Sequence, residues 1–181
     1  MSSSAAASTR PNGRLVILGL VLVAGVIVAG SPQLEAPWIL GDEFVFIVGN
    51  PNVNPAADPA RNSRTLANRL AAIVMEIHDD LYQPLPILTY AVEWELTGGN
   101  VTSFRRTDVL LHALNALLLW WVLTRLLRRV TRVRTALTPV IAWCLAWLWA
   151  LHPALVTAWA SDMGRTHLLS TTLTLCALLL Y

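Results

Sequence analysis

The uncharged run at residues 15–30, flanked by Arg10 and Arg14, is the feature that most restricts what this chain can become. So long a stretch of apolar and small residues reads as a membrane anchor. A cleaved signal peptide competes with that reading, because Val28-Ala29-Gly30 before Ser31 offers a small-residue cleavage site and the run is short for a span. Further apolar runs downstream favour the uncleaved anchor. Composition agrees: 55% hydrophobic residues, 13% charged residues and a mean hydropathy of +0.55 place the chain in a bilayer.

Charge placement then sets an expected topology. All 13 basic residues are arginine, and Arg125, Arg128, Arg129, Arg132 and Arg134 cluster within ten positions. Such a cluster marks the cytoplasmic side of a membrane. With Arg10 and Arg14 on that side too, the first helix runs outward and the second returns. Nine of the 11 acids lie between residues 31 and 106, so that interval faces the opposite aqueous phase.

The expected fold is all-α, a polytopic membrane bundle of three to four spans with short amphipathic helices in an extracytoplasmic loop. Its order is a cytoplasmic N-terminus at 1–14, helix 1 at 15–31, the loop at 32–106 and helix 2 at 107–127. An arginine-rich loop at 128–135, helix 3 at 136–151, a loop at 152–165 and helix 4 at 166–181 complete it. In the long loop, Leu66, Leu70, Ile73, Val74 and Ile77 form one apolar face of a helix near 64–78, leaving Arg64, Arg69 and Glu76 to find water. A second short helix is expected at 87–96, ended by Gly98-Gly99. Residues 168–181 span only about 21 Å against a hydrocarbon core of roughly 30 Å. The last helix therefore reads as part of a longer polypeptide, or as a stub leaning on a partner, and catalysis by these 181 residues alone is not expected.

Few residues can carry chemistry. Asp42 and Glu43 stand together just beyond the first apolar run, where one can act as a general base and both can hold a divalent cation. A turn cap at the water interface is the plain alternative. Asp108, His112 and Asn115, at i, i+4 and i+7, make a polar stripe on helix 2 that must face protein rather than lipid. Arg165 and His167 open helix 4, where cationic groups suit a lipid phosphate. An arginine snorkelling to the interface is the alternative there. Cys144 and Cys176 sit in apolar runs at no metal-ligand spacing. A net charge of +2 gives no basis for nucleic-acid binding, and no phosphate loop appears.

In chain order, Gly41-Asp42-Glu43-Phe44, Tyr82-Gln83-Pro84-Leu85, the 110–116 helix, Leu151-His152-Pro153 and the 159–165 segment ending Met163-Gly164-Arg165 form a succession. It resembles the N-terminal membrane part of GT-C-type glycosyltransferases that use lipid-linked sugars, in the protein O-mannosyltransferase-like branch with a tetratricopeptide tail. The resemblance implies that the acid pair serves the acceptor and any metal, and that membrane lipid and a polyprenyl-phosphate sugar are ligands. It also implies a bacterial inner membrane or endoplasmic reticulum. Two positions depart from it: a double aspartate is common where Asp42-Glu43 stands, and an acid where His167 stands. A competing expectation is an accessory subunit packed against other membrane subunits of a photosynthetic, respiratory or transport complex.

Overall fold

A computed structural model describes residues 13–38, 41, 43–60, 64–77, 80–130, 137–155 and 164–181. Those residues are all-helical. Helix α1 (Gly13–Gly30) runs into a 3-10 turn at Ser31–Glu35. A π-helical turn (Phe44–Val48) and a 3-10 turn (Pro55–Ala57) precede α2 (Leu66–Met75) and α3 (Pro84–Thr97). Then come α4 (Val101–Val130), α5 (Thr138–Ala150) and α6 (Gly164–Leu180).

Local chemistry explains most of these limits. Pro84 occupies the first helical position of α3, where its missing N–H costs nothing, so the helix starts three residues before the expected Ile87. It ends where Gly98 adopts φ 66°, followed by Gly99 at φ 79°, and a side chain at Gly99 would strike the Trp94 ring. The Asn100 side chain accepts from the Thr102 N–H at 3.0 Å. That cap starts α4 at Val101, earlier than the expected 107, and α4 continues through Val130.

Among the described residues two segments are long and apolar enough to cross a membrane, Gly13–Glu35 and Val101–Val130. With 30 residues, α4 extends about 45 Å and overreaches the hydrocarbon core at one or both ends. Of the other expected spans, α5 has 13 residues and α6 has 17. Both pack on α4, which is the mast of a bundle.

Side-chain contacts give the directions. Gly19 of α1 lies against Trp120 and Leu117, while Ile27 packs beside Val109, so α1 is antiparallel to α4. The Trp120 indole donates to the Pro139 carbonyl and the His112 ring meets the Ala150 carbonyl, so α5 is antiparallel to α4 as well. Asn115 donates to Leu168 and Arg125 to Leu179, which sets α6 parallel to α4. The bundle interior is built on small residues. Ala142, Ala146 and Ala150 of α5 recur at every fourth position and are buried, facing Ala113 and Ala116 of α4. Such stripes let helix backbones approach closely where lipid supplies no hydrophobic drive.

A second core caps the N-terminal end of α4. Phe46, Ile47, Val53, Ile73, Ile87, Tyr90 and Ala91 gather around Phe104. Phe104 takes Trp38 and Trp94 on its edges, at 5.1 and 6.2 Å, and stacks with Tyr90 at 6.1 Å. Here the expected face of α2 needs correction. Arg69 is buried rather than solvated, and Val74 and Ile77 are exposed. The helix is rotated because Arg69 ion-pairs with Glu95 and donates to the Val53 carbonyl at 3.0 Å, which replaces the water it would otherwise require.

Candidate functional site: a buried charge cluster at the head of α4

The chemistry-bearing side chains converge where the cap meets the bundle. Arg165, in the first turn of α6, is 1% exposed. A cation at a helix N-terminus opposes the peptide dipoles, so its placement there requires acids nearby. They are present: Arg165 Nε donates to Asp108 Oδ1 at 2.7 Å and Nη1 to Glu93 Oε2 at 2.6 Å. Its Nη2 donates to the Phe104 carbonyl at 3.1 Å. The guanidinium also lies over the Tyr90 ring at 4.4 Å and the Phe104 ring at 5.6 Å. Thr107 donates its hydroxyl to the other Glu93 oxygen at 2.6 Å. Each of the three guanidinium nitrogens thereby donates a hydrogen bond.

One turn before Asp108, Arg105 performs a similar task for the acid loop. Glu43, 1% exposed at the start of the π-helical turn, has its Oε1 at 2.5 Å from Arg105 Nη1. Arg105 Nη2 donates to the Pro37 carbonyl at 3.3 Å, which fixes the chain on the other side of that loop. The buried Arg105 Nε finds no acceptor among the described residues. Arg105 and Asp108 stand one turn apart on α4, so the ion pairs are neighbours in one charge cluster. Its three carboxylates, Glu43, Glu93 and Asp108, face two guanidiniums.

The expected site residues divide accordingly. Glu43 is in the cluster through Arg105, whereas Asp42 lies outside the described residues. A guanidinium against Glu43 Oε1 does not fit a dication on the same oxygen. Arg165 and His167 do not converge: Arg165 points into the cluster and His167 is exposed. Asp108, His112 and Asn115 are all buried and each meets a different neighbour. Asp108 takes Arg165, and the His112 Nε2 lies 2.9 Å from the Ala150 carbonyl at the end of α5. Asn115 donates to the Leu168 carbonyl at 2.9 Å and accepts from Thr172 at 2.7 Å.

Glu93 and Arg105 escaped the reading of the sequence, as did the Tyr90 and Phe104 rings. The available signal was Asp108 itself: a carboxylate entering an apolar helix demands a cation, and Arg105 stands at i−3 on the same face. Beside the cluster an apolar groove of about 450 Å³ opens between α3 and α4, walled by Leu88, Val92 and Leu96. Glu93, Thr107 and Arg165 form its polar floor.

No family model matches the chain, and no solved structure matches it. Among curated proteins, it is 32% identical over 183 aligned positions to the protein O-mannosyl-transferase TMTC1 of Mus musculus, covering 97% of this chain. To the Homo sapiens protein of the same name it is 30% identical over 163 positions, covering 87% of this chain. The chain spans 18% of the length of each of these relatives. Its apolar helices and this similarity point together to a membrane protein that resembles part of the protein O-mannosyl-transferases.

Proposed function

We propose that this chain forms the acceptor-side module of a glycosyltransferase that moves a sugar, mannose by analogy with its relatives, from a polyprenyl phosphate to a hydroxyl group outside the cytoplasm. The observation that carries the reading is the Glu43–Arg105 pair, which pins the acid loop to the ion-paired head of α4. Asp42 is assigned the general base. It removes the proton of the acceptor hydroxyl as that oxygen bonds to the anomeric carbon, and the polyprenyl phosphate departs with the electron pair of the broken bond. Glu43 and Arg105 are positioning residues. No step is assigned to a divalent cation.

In this reading α1, α4, α5 and α6 all traverse the bilayer, with the arginine end in the cytoplasm. The membrane is the endoplasmic reticulum or a bacterial inner membrane. The groove beside Glu93 and Thr107 would take the lipid chain of the donor, with sugar hydroxyls on its polar floor. Arg165, committed to two carboxylates, holds the floor together and leaves the phosphate to other groups.

The test is sugar transfer by membranes containing this chain joined to the remainder of a full-length relative, with labelled polyprenyl-phosphate mannose as donor. Asp42→Asn is expected to lower the rate by roughly 10²- to 10⁴-fold at unchanged protein level, the usual worth of a general base. Arg105→Gln should lower it less and shift its pH profile, because a freed Glu43 changes the field at Asp42. Full transfer by Asp42→Asn removes the acid pair from the mechanism. The accessory-subunit reading draws on the exposed apolar faces of the bundle, such as Leu20 on α1 and Leu148 on α5. A stoichiometric membrane partner on purification, with no transfer by the wild type, would favour it.

A further inference from the structure

The opposite end of the bundle carries a second feature, independent of the acid loop and of sugar transfer. Between residues 109 and 161 the sequence holds five arginines and no Asp or Glu. Those cations have no acid in their own segment to pair with. At this end the C-terminal turns of α4 and α6 leave a groove of about 250 Å³, walled by Val122 and Leu126 on one side and Leu178 and Leu179 on the other. Arg125 and Arg129 also line it, four residues apart on one face of α4.

The two arginines are in different states. Arg125 Nη1 donates to the Leu179 carbonyl at 2.6 Å, and its guanidinium lies 4.9 Å from the Trp121 ring. It thereby ties α6 to α4 at this end of the bundle. Arg129 is exposed and has no hydrogen-bond or ion-pair partner among the described residues. Trp121 is half exposed on the same helix, one turn before Arg125.

We infer that this groove binds one anionic glycerophospholipid, with its phosphate on Arg129 and the free edge of Arg125 and an acyl chain laid along Val122, Leu126 and Leu178. Charge complementarity and an apolar wall under the same two arginines select that occupant over a neutral lipid, which gains only the wall, and over free phosphate, which gains only the charge.

The test is native mass spectrometry of the full chain released from detergent, titrated with phosphatidylglycerol, with phosphatidylcholine of the same acyl chains, or with inorganic phosphate. One phosphatidylglycerol is expected to be retained at concentrations where neither phosphatidylcholine nor phosphate is. Arg125→Gln with Arg129→Gln should weaken that retention about thirtyfold. Arg128→Gln, off the groove, should change it little. Leu126→Trp, which fills the groove and keeps both charges, should abolish it. Equal retention of the two lipids overturns the inference, as does an Arg128→Gln loss equal to that of the pair. Retention unaffected by Leu126→Trp, or a polypeptide cross-linked to position 126 in membranes, overturns it too. These arginines are exposed, so unchanged melting in phosphatidylcholine micelles shows that the variants fold.

Discussion

The cap and the bundle bury their residues by different means. In the bundle, alanines and glycines meet large rings: Gly25 of α1 leaves so little room that an added Cβ would lie 1.8 Å from the Trp147 ring of α5. Shape does the selecting there, as it must where the surroundings are as apolar as the side chains. The cap instead combines an aromatic cluster around Phe104 with buried cations, Arg69, Arg105 and Arg165, each held by a carboxylate and a backbone carbonyl. Arg105 and Arg165 belong by sequence to the bundle helices α4 and α6 and by environment to the cap. The two regions are thus joined by charge, while one of them is assembled by fit.

The severest way to break that distinction is Arg165→Met. It strands Asp108 and Glu93 without their cation, and the expected loss is about 3–5 kcal/mol, read as a lower melting temperature in detergent micelles. Adding Asp108→Leu and Glu93→Gln to the same chain should recover most of it, since removing both partners of a buried pair is far cheaper than removing one. A melting temperature for Arg165→Met equal to wild type would sever the charge link between the regions.

Gly25→Ala probes fit alone. Displacing the Trp147 ring is expected to cost about 1–3 kcal/mol and to alter tryptophan fluorescence. Hydrogen exchange in α2 and α3 should stay as it was, and Trp147→Leu on the same chain should relieve the strain. Matching changes in the cap would mean that the two cores unfold as one.

Asn115→Leu removes the bonds to Leu168 and Thr172 that register α6 on α4. A loss of about 1 kcal/mol is expected from the modest worth of polar contacts between membrane helices, measurable by titrated unfolding in mixed micelles. Thr65→Ala, which deletes a long 3.4 Å cap to the Asn68 N–H, should cost about 0.5 kcal/mol and show only as faster exchange in the first turn of α2.

The ends of helices were readable wherever a residue type dictates backbone geometry. Gly98-Gly99 stops α3 because a left-handed turn there excludes most side chains, and the uncharged run before Ser31 is helical because lipid leaves its backbone no other partner. Facing was less readable. The apolar spacing over residues 64–78 pointed to Val74 and Ile77, yet Arg69 turned inward, since a periodic pattern counts an arginine as polar whether or not a carboxylate awaits it. In the candidate site, the need for partners was visible at Asp108, but the identity of those partners was not, because Glu93 and Arg165 are 72 residues apart.

Composition and pattern alone determined that this chain is helical, that it carries apolar segments able to enter a membrane, and that its acids and arginines are segregated, because each follows from the solvation of side chains and backbone taken locally. Only the tertiary structure decided that Arg165 faces Glu93 and Asp108 rather than solvent, and that Glu43 is held by Arg105. A charge can be buried only where the complete set of its neighbours compensates it, and that set is assembled from distant parts of the chain.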